Sequence, residues 1–364
     1  MQARTRPCGV ARRVRHPIGR VSREGQDMKR CLGVILLVLA TAPALAAPTG
    51  AWEASRSPVW ATPMLVEAET FAARHNVTAL MVVQHGTVVA DWGDTTKPTP
   101  LASIRKSLLD ALIGIAVSQH RIDLDNTMAQ LDIDDNPPSL SAGEKQATVR
   151  MLLEARSGIY HPALYETRAM AAKRPARFSH APGAFWYYNN WDFNTLGAIY
   201  EKATGQSIYQ AFLEEIAQPI GMQDYDPKAQ HYVRGKASIH PAYTFRMSAR
   251  DLARFALLFL DRGAWNGRQI VPPQWVHDST AAHSQADHGF GYGYLWWTAG
   301  AHDVLHLPAR SYFAWGAGGQ FAFIFPHDDL VIVERTDRDR HVTPPTLARV
   351  AELLARIRRA GGLN

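Results

Sequence analysis

The fold is organised around the stretch SIRKSLLDALIGIAVSQH, residues 103–120. Its apolar residues recur at spacings of three and four, which predicts a mostly buried α-helix, the central helix of the fold. Ser103 lies at the first turn, where free backbone N–H groups and the positive end of the helix dipole stabilise a developing negative charge. Lys106 follows one turn later and is therefore expected on the same face.

A hydroxyl and an amine are thus predicted to lie side by side in a largely dry environment. Desolvation disfavours the ammonium form of Lys106, which makes the amine a better proton acceptor for the Ser103 hydroxyl. The alternative is an ordinary helix cap followed by a surface lysine. Two observations favour an activated serine nucleophile: no other serine in the chain has a lysine three residues later, and the helix that follows is too apolar for a surface helix.

The N-terminus has the pattern of a secretory signal peptide. MKR (28–30) is followed by the short apolar run CLGVILLVLATA (31–42) and by PALA (43–46), which ends in A-x-A. We therefore expect a signal peptide at 28–46 and a periplasmic or secreted mature protein, with residues 1–27 an upstream extension or a mis-assigned start. The apolar run is too short for a transmembrane span, so no integral membrane span is expected in the mature chain.

The basic character of the chain belongs to this leader. Residues 1–46 hold 9 of the 39 lysines and arginines and 2 of the 33 acidic residues, which leaves 30 basic against 31 acidic residues. This balance gives no electrostatic reason to expect binding to nucleic acid or to an anionic membrane. Both cysteines, Cys8 and Cys31, also fall in the leader, so the mature chain would contain neither a disulfide nor a thiol nucleophile.

Strand patterns lie near both ends of the mature chain, and helix patterns fill its middle. The predicted strands are a hairpin at 78–93 and further runs at 289–298, 312–325 and 330–336. The pattern favours an α+β fold, in which an antiparallel sheet is flanked by the terminal helices and an all-helical region is inserted. The predicted boundaries are 47–106 and 291–364 for the sheet part and 107–290 for the mainly helical part.

A second candidate stretch, PGAFWYYNNWDFNTLG at 182–197, leads into a predicted helix. Its glycine, aromatic residues and asparagines suit a loop that enters a pocket. A tyrosine in such a loop can bond to a serine hydroxyl and relay its proton, provided that a nearby cation favours the phenolate. The alternative role for these rings is to anchor a core, and we assign Phe185, Trp186 and Tyr187 mostly to that role.

Three motifs, in this order along the chain, resemble those of the serine β-lactamase and penicillin-binding-protein superfamily. They are S-x-x-K at 103–106, Y-x-N at 188–190 before W-D-F-N-T-L-G, and the glycine-rich strand entry WGAGGQ at 315–320. The resemblance is closest to the class C-like esterase and amidase branch, which includes 6-aminohexanoate-dimer hydrolases. It covers nearly all of the mature chain and implies a β-lactamase-like fold.

The resemblance also assigns roles to individual residues. It implies the nucleophile Ser103, its partner Lys106, the proton relay Tyr188, the orienting side chain Asn190, and a substrate-binding strand edge at Trp315, Gly316, Ala317 and Gly318. Tyr187 with Asn189 also satisfies Y-x-N, although the chain that leads from Asn190 into the helix fits the family phrase better. The oxyanion would be held by the backbone N–H of Ser103 and by one near Ala317 or Gly318.

Two departures from the family pattern bear on the substrate. Where β-lactamases carry Lys-Thr-Gly, this chain carries Trp315-Gly316-Ala317 or a close neighbour, without a lysine. The usual cation for a substrate carboxylate is therefore missing from this strand, unless an arginine from elsewhere reaches the site. The strand motif therefore favours uncharged substrates with apolar acyl groups. The His-Thr-Ser-Gly phrase of this branch appears as ARSG (155–158), at the end of a helix predicted over 149–158, and we assign no consequence to that change.

The sequence thus predicts a secreted or periplasmic serine hydrolase that cleaves a small-molecule ester or amide through an acyl-enzyme on Ser103. No metal or organic cofactor is expected. Lys106 and Tyr188 remain alternatives for the general base, because the two would titrate as a coupled pair. The alternative functions are a β-lactamase or D-alanyl-D-alanine peptidase, and a non-catalytic binding or sensor protein of the same fold.

Overall fold

The computed structural model describes residues 60–363, so the predicted signal peptide lies outside the described residues. The helices of this part are α1 (Thr62–Arg74), α2 (Arg105–Ser118), α3 (Val149–Leu153), α4 (Arg168–Lys173), α5 (Asn190–Thr204), α6 (Ile208–Ala211), α7 (Ala249–Leu260), α8 (Pro273–Ser279) and α9 (Leu347–Ala360). The strands are β1 (Ala79–Gln84), β2 (Thr87–Gly93), β3 (Thr99–Pro100), β4 (His231–Val233), β5 (Ala242–Thr244), β6 (Arg246–Met247), β7 (Ala264–Trp265), β8 (Arg268–Gln269), β9 (Ser284–Gln285), β10 (Gly291–Tyr292), β11 (Trp297–Thr298), β12 (Tyr312–Gly316), β13 (Gln320–Phe325) and β14 (Leu330–Arg335). None of the helices between residues 60 and 363 has the length and apolar character that a membrane span needs.

Eight strands form one antiparallel sheet in the order β2-β1-β14-β13-β12-β11-β10-β9. Strand β1 pairs with β14, from Ala79 opposite Arg335 to Gln84 opposite Leu330, so the two ends of the described chain meet in the sheet. Strands β13 and β14 are buried along their whole length. The predicted antiparallel sheet built from both ends is confirmed, and it also includes β9, which precedes the predicted boundary at residue 291.

The two faces of the sheet are covered by different helices. The Tyr312 hydroxyl donates to the carbonyl of Phe259 in α7 over 3.0 Å, whereas Arg358 of α9 lies 5.2 Å from the ring centroid of Phe325. Tyr312 is paired with Ile324, the neighbour of Phe325 in β13. Because successive side chains of a strand point to opposite faces, α7 covers one face and α9, which packs on α1, covers the other.

Helix α2 is buried continuously from Arg105 to Ala116, which confirms the predicted central helix. Its apolar residues extend around the whole helix rather than along one stripe, as expected for a helix with neighbours on all sides. Helices α5 and α8 pack against it. Gly114 permits the close approach of α8, because a Cβ at this position would overlap the Trp275 ring.

The helix predicted over 149–158 is the short helix α3, which does not reach Gly158. Ala155 has a left-handed φ of 55°, and the N–H groups of Ala155 and Arg156 donate to carbonyls of the last turn of α3. This is the hydrogen bonding of a helix end that usually contains glycine, formed here by an alanine. As a consequence, Arg156 lies in the loop that follows α3 and not on a helix.

Candidate active site

Ser103 lies in the short 3₁₀ turn Ala102–Ile104, which leads directly into α2. Lys106 lies in the first turn of α2, and its Nζ donates a hydrogen bond to Ser103 Oγ over 2.7 Å. Ala102, immediately before Ser103, has a left-handed φ of 49°, a conformation that costs a non-glycine residue about 1–3 kcal/mol. The structure thus brings the predicted hydroxyl and amine together on a strained turn.

Lys106 is buried among aromatic rings. Its Nζ lies 4.8 Å from the ring centroid of Tyr188 and 4.8 Å from that of Phe193. Burial lowers the pKa of Lys106 well below its usual value, and the positive charge of Arg105 lowers that pKa further. A neutral amine within hydrogen-bond distance of Ser103 can accept the hydroxyl proton, which activates the serine as a nucleophile.

Arg105 is a candidate functional residue that the sequence reasoning missed. Its side chain is buried, donates to Asn194 Oδ1 over 2.9 Å and lies 4.3 Å from the ring centroid of Tyr243. Two of its nitrogens, Nε and Nη1, have no hydrogen-bond partner among residues 60–363. Charge that is buried in this way is poorly screened by water, so it disfavours a second positive charge on Lys106.

Tyr188 lies beside both Ser103 and Lys106. Its ring stacks on Trp297 with the centroids 5.4 Å apart. Burial raises the pKa of Tyr188 to about 12, although a hydrogen bond with Ser103 and the charge of Arg105 act in the opposite direction. Tyr188 is therefore a neutral phenol near pH 7 and can donate a proton.

Two residue pairs satisfy the Y-x-N motif, Tyr187 with Asn189 and Tyr188 with Asn190, and their hydrogen bonds differ. The Tyr187 hydroxyl donates to the Met170 carbonyl over 3.0 Å, and the Asn189 side chain caps the N-terminus of α5. The Asn190 amide group donates to the Tyr165 carbonyl over 2.7 Å, while its buried Oδ1 has no hydrogen-bond partner in the described part of the chain. Asn190 thus retains an acceptor, whereas both polar groups of the other pair are used within the protein.

The end of β12 passes against the Ser103 turn at Gly316. A Cβ on Gly316 would overlap a backbone carbonyl oxygen and would lie 3.2 Å from the amide nitrogen of Ser103, so glycine is required for this approach. Trp315 and Ala317, on either side, line the same cavity as Ser103. Gly318 lies in the turn after β12, with a φ of 85°, and does not line that cavity.

A cavity of about 1040 Å³ opens at Ser103. Its apolar wall includes Phe185, Trp186 and Tyr187, which were expected mostly as core anchors. Trp186 does pack against the core as well, whereas Phe185 is exposed at the cavity. Its polar wall is formed by residues 283–288 together with Arg156 and Lys173. Between residues 60 and 363, no group of three or more His, Cys, Asp and Glu side chains is placed to hold a metal ion.

Comparison with known proteins identifies the family to which this geometry belongs. The sequence model of the Beta-lactamase family matches residues 66–355, which is most of the chain. Three solved structures are similar. The first, a Bacillus anthracis protein provisionally named a 6-aminohexanoate-dimer hydrolase, is 21% identical, with a TM-score of 0.61 over 81% of this chain and 82% of that chain. The second, a β-lactamase from Mycobacterium bovis, is 22% identical, with a TM-score of 0.57 over 81% and 100% of the two chains.

The third, a penicillin-binding-protein homologue from Caulobacter crescentus, is 17% identical, with a TM-score of 0.63 over 82% and 97% of the two chains. At these identities the structural similarity shows a shared fold, whereas the family match rests on the sequence itself. The β-lactamase-like fold predicted from the three motifs is confirmed. The chain therefore belongs to the Beta-lactamase family of hydrolases, within the serine β-lactamase and penicillin-binding-protein superfamily.

Proposed function

We propose that this protein is an exported serine hydrolase that cleaves an ester or an amide through an acyl-enzyme on Ser103. The observation that carries the proposal is the 2.7 Å hydrogen bond between Lys106 Nζ and Ser103 Oγ, beside a cavity large enough for a small-molecule substrate. The signal-peptide pattern at 28–46 supports export to the periplasm or the medium.

In the proposed reaction, Ser103 Oγ attacks the substrate carbonyl carbon while its proton passes to the neutral amine of Lys106. Lys106 fits this role better than Tyr188, because burial lowers the pKa of Lys106 but raises the pKa of Tyr188 to about 12. Tyr188, as a phenol beside Ser103, then donates a proton to the leaving group and is reprotonated by Lys106. The two groups act as one coupled acid–base unit.

The tetrahedral intermediate carries a negative charge on the former carbonyl oxygen. We assign its stabilisation to the backbone N–H of Ser103 and to the backbone N–H of Ala317, because β12 ends against the Ser103 turn. Departure of the leaving group gives the acyl-enzyme. A water molecule then attacks the acyl carbon and gives a proton to the Lys106–Tyr188 unit. This unit returns the proton to Ser103 Oγ as the bond between Oγ and the acyl carbon breaks, so the acid is released and Ser103 is regenerated as a hydroxyl.

Labelling with a fluorophosphonate probe, followed by peptide mapping, tests this proposal. We expect a single adduct on the peptide that contains Ser103 and no adduct in the Ser103→Ala variant. Ser107→Ala is the matched control, because Ser107 lies four residues later, in α2, but donates its hydroxyl to the Leu295 carbonyl over 2.9 Å. That variant should still be labelled.

A substrate screen completes the test. We expect hydrolysis of p-nitrophenyl acetate or butyrate, or of a short amide, by the wild type and by Ser107→Ala but not by Ser103→Ala. An adduct on a residue other than Ser103 would contradict the proposal. A stable adduct on Ser103 without turnover of any ester, amide or β-lactam would also contradict it, and would identify a binding or sensor protein of the same fold.

A further inference from the structure

The loop after α3 brings a cation to the wall of the Ser103 cavity. Arg156 lines this cavity and is partly buried. Its Nη1 donates to the His283 carbonyl over 3.3 Å, a long bond that uses one of the five donors of the guanidinium. Among the described side chains Arg156 forms no ion pair, since the neighbouring acid Glu154 contacts His283 instead, at 4.0 Å. Most of the hydrogen-bonding capacity of Arg156 is therefore available to a ligand.

Two unpaired donors lie in the same part of the wall. Ser284 Oγ and Trp186 Nε1 are buried and have no hydrogen-bond partner between residues 60 and 363. Ser284 follows His283, whose carbonyl accepts from Arg156, and is paired with Tyr292 across β9 and β10. The Trp186 ring packs on Tyr292 with the centroids 5.7 Å apart. Both residues line the cavity, so these O–H and N–H groups are donors that a ligand there can use.

A carboxylate is the anion that this wall suits best. The planar guanidinium can donate two parallel hydrogen bonds to the two oxygens of a carboxylate, which a lysine cannot do. A doubly charged phosphate is disfavoured, because Asp287 lines the same cavity and Glu154 lies close enough to Arg156 for their charges to interact. The other cation of the wall, Lys173, is exposed to solvent, and hydration weakens its attraction for an anion.

We propose that Arg156 binds a carboxylate on the substrate that Ser103 attacks, and that it determines the substrate preference of the enzyme. The inference deepens the proposed function and rests on it. Arg156 would supply, from the loop after α3, the cation that the strand motif at 315–317 lacks. The preference for uncharged substrates that follows from the strand motif alone would then be reversed for substrates whose carboxylate reaches Arg156.

Matched ester pairs test the inference, because the two members of a pair differ only at the end of the acyl chain. Mono-p-nitrophenyl glutarate carries a carboxylate where p-nitrophenyl valerate carries a methyl group. The succinate–butyrate and adipate–hexanoate pairs vary the distance between the ester carbonyl and this terminal group. The measured quantity is the ratio of kcat/KM for the charged ester to kcat/KM for the neutral one. In Arg156→Gln this ratio should fall about 10- to 100-fold for the pair of best-fitting length, the effect of losing a charge-assisted hydrogen bond.

Three further variants separate a direct contact from a general change in charge. Arg156→Lys keeps the charge but loses the paired donors, so it should give an intermediate ratio. Arg168→Gln removes the same charge from α4. Arg168 lies between two residues that line the cavity but does not line it itself. The ratio of kcat/KM values in this variant should therefore stay within about threefold of the wild-type ratio. The inference would be overturned if this ratio fell equally in Arg156→Gln and Arg168→Gln, or if it fell in Lys173→Gln alone. An unchanged ratio in Arg156→Gln at all three chain lengths would also overturn it.

A binding measurement keeps the inference testable if the proposed function fails. If the wild type hydrolyses no ester, monomethyl glutarate is titrated calorimetrically into Ser103→Ala and into the double variant Ser103→Ala/Arg156→Gln. Binding to the first protein that weakens at least tenfold in the second supports the carboxylate site independently of any hydrolysis. Equal binding to both proteins, or binding to neither, refutes it.

Discussion

Replacement of Gly316 by alanine should displace the strand edge that lies beside Ser103. The added Cβ would overlap the Leu101 carbonyl oxygen and would lie 3.0 Å from Gln320 Cβ and 3.2 Å from the Ser103 amide nitrogen. The overlapping atom belongs to the backbone, so no side-chain rotation can relieve the clash. The end of β12 or the turn before α2 must move by about 1 Å to restore an ordinary contact.

The expected loss of activity is larger than the loss of stability. Overpacking of this kind costs about 1–3 kcal/mol in the free energy of unfolding. A displacement of about 1 Å near reacting atoms lowers the rate on the order of 10²-fold, and removal of one oxyanion donor costs about 10²- to 10³-fold. We therefore expect kcat/KM to fall about 10²- to 10³-fold in Gly316→Ala while the protein remains folded.

The assay compares kcat/KM for p-nitrophenyl butyrate with the thermal unfolding of the same preparations. Gly143→Ala is the matched control, because an added Cβ there would have Ser141 Oγ, at 3.9 Å, as its nearest neighbour. The control should keep its activity within about threefold and its unfolding free energy within about 0.5 kcal/mol. A folded Gly316→Ala protein with wild-type kcat/KM would refute the reasoning, because the edge of β12 would then contribute nothing to the reaction at Ser103.

The remaining predictions concern the catalytic unit, its titration and the leader. Ser103→Ala should lose about 10⁴- to 10⁶-fold in kcat with an unfolding free energy within about 1 kcal/mol of the wild type. Lys106→Ala and Tyr188→Phe should be similarly inactive, and the double variant should be little worse than either; additive losses in kcat would show that the two residues act separately. Because burial lowers the pKa of Lys106 below its unfolded value, the folded protein binds fewer protons there than the unfolded chain, so stability rises with pH between the two pKa values. Lys106→Met has no titratable group at this position, so the margin by which its thermal stability exceeds that of the wild type should shrink between pH 7 and pH 10. A constant margin would contradict the lowered pKa. Mass spectrometry of the exported protein should find a mature N-terminus at Ala47 or within a residue or two of it, and a retained leader would exclude the predicted cleavage.

The parts of the site that could be predicted from the sequence are those set by local geometry. A spacing of three residues on a helix brings Lys106 to Ser103 whatever the rest of the chain does, and the period of the apolar residues identified α2 as the central helix. The alternation and runs of apolar residues likewise predicted the strands β13 and β14.

Arg156 could not be predicted in the same way, because its position depends on where α3 ends. A helix that continued to Gly158 would have placed Arg156 on its last turn, and glycine is the usual signal for that end. The left-handed conformation at Ala155 ends the helix earlier, and no residue type marks it in the sequence. Arg105 was missed for a related reason, since its partner Asn194 comes from a helix far along the chain.

The pairing of β1 with β14, and the contact of β12 with the Ser103 turn, also determine when the proposed active centre can form. Both contacts join segments that are separated by more than half of the chain, so the contact order is high and loop closure must precede the gain from packing. During synthesis, Ser103 and Lys106 emerge long before β12, the strand that would complete the proposed oxyanion site. A nascent chain that stops before residue 312 would therefore contain Ser103 and Lys106 but could not yet form the active centre.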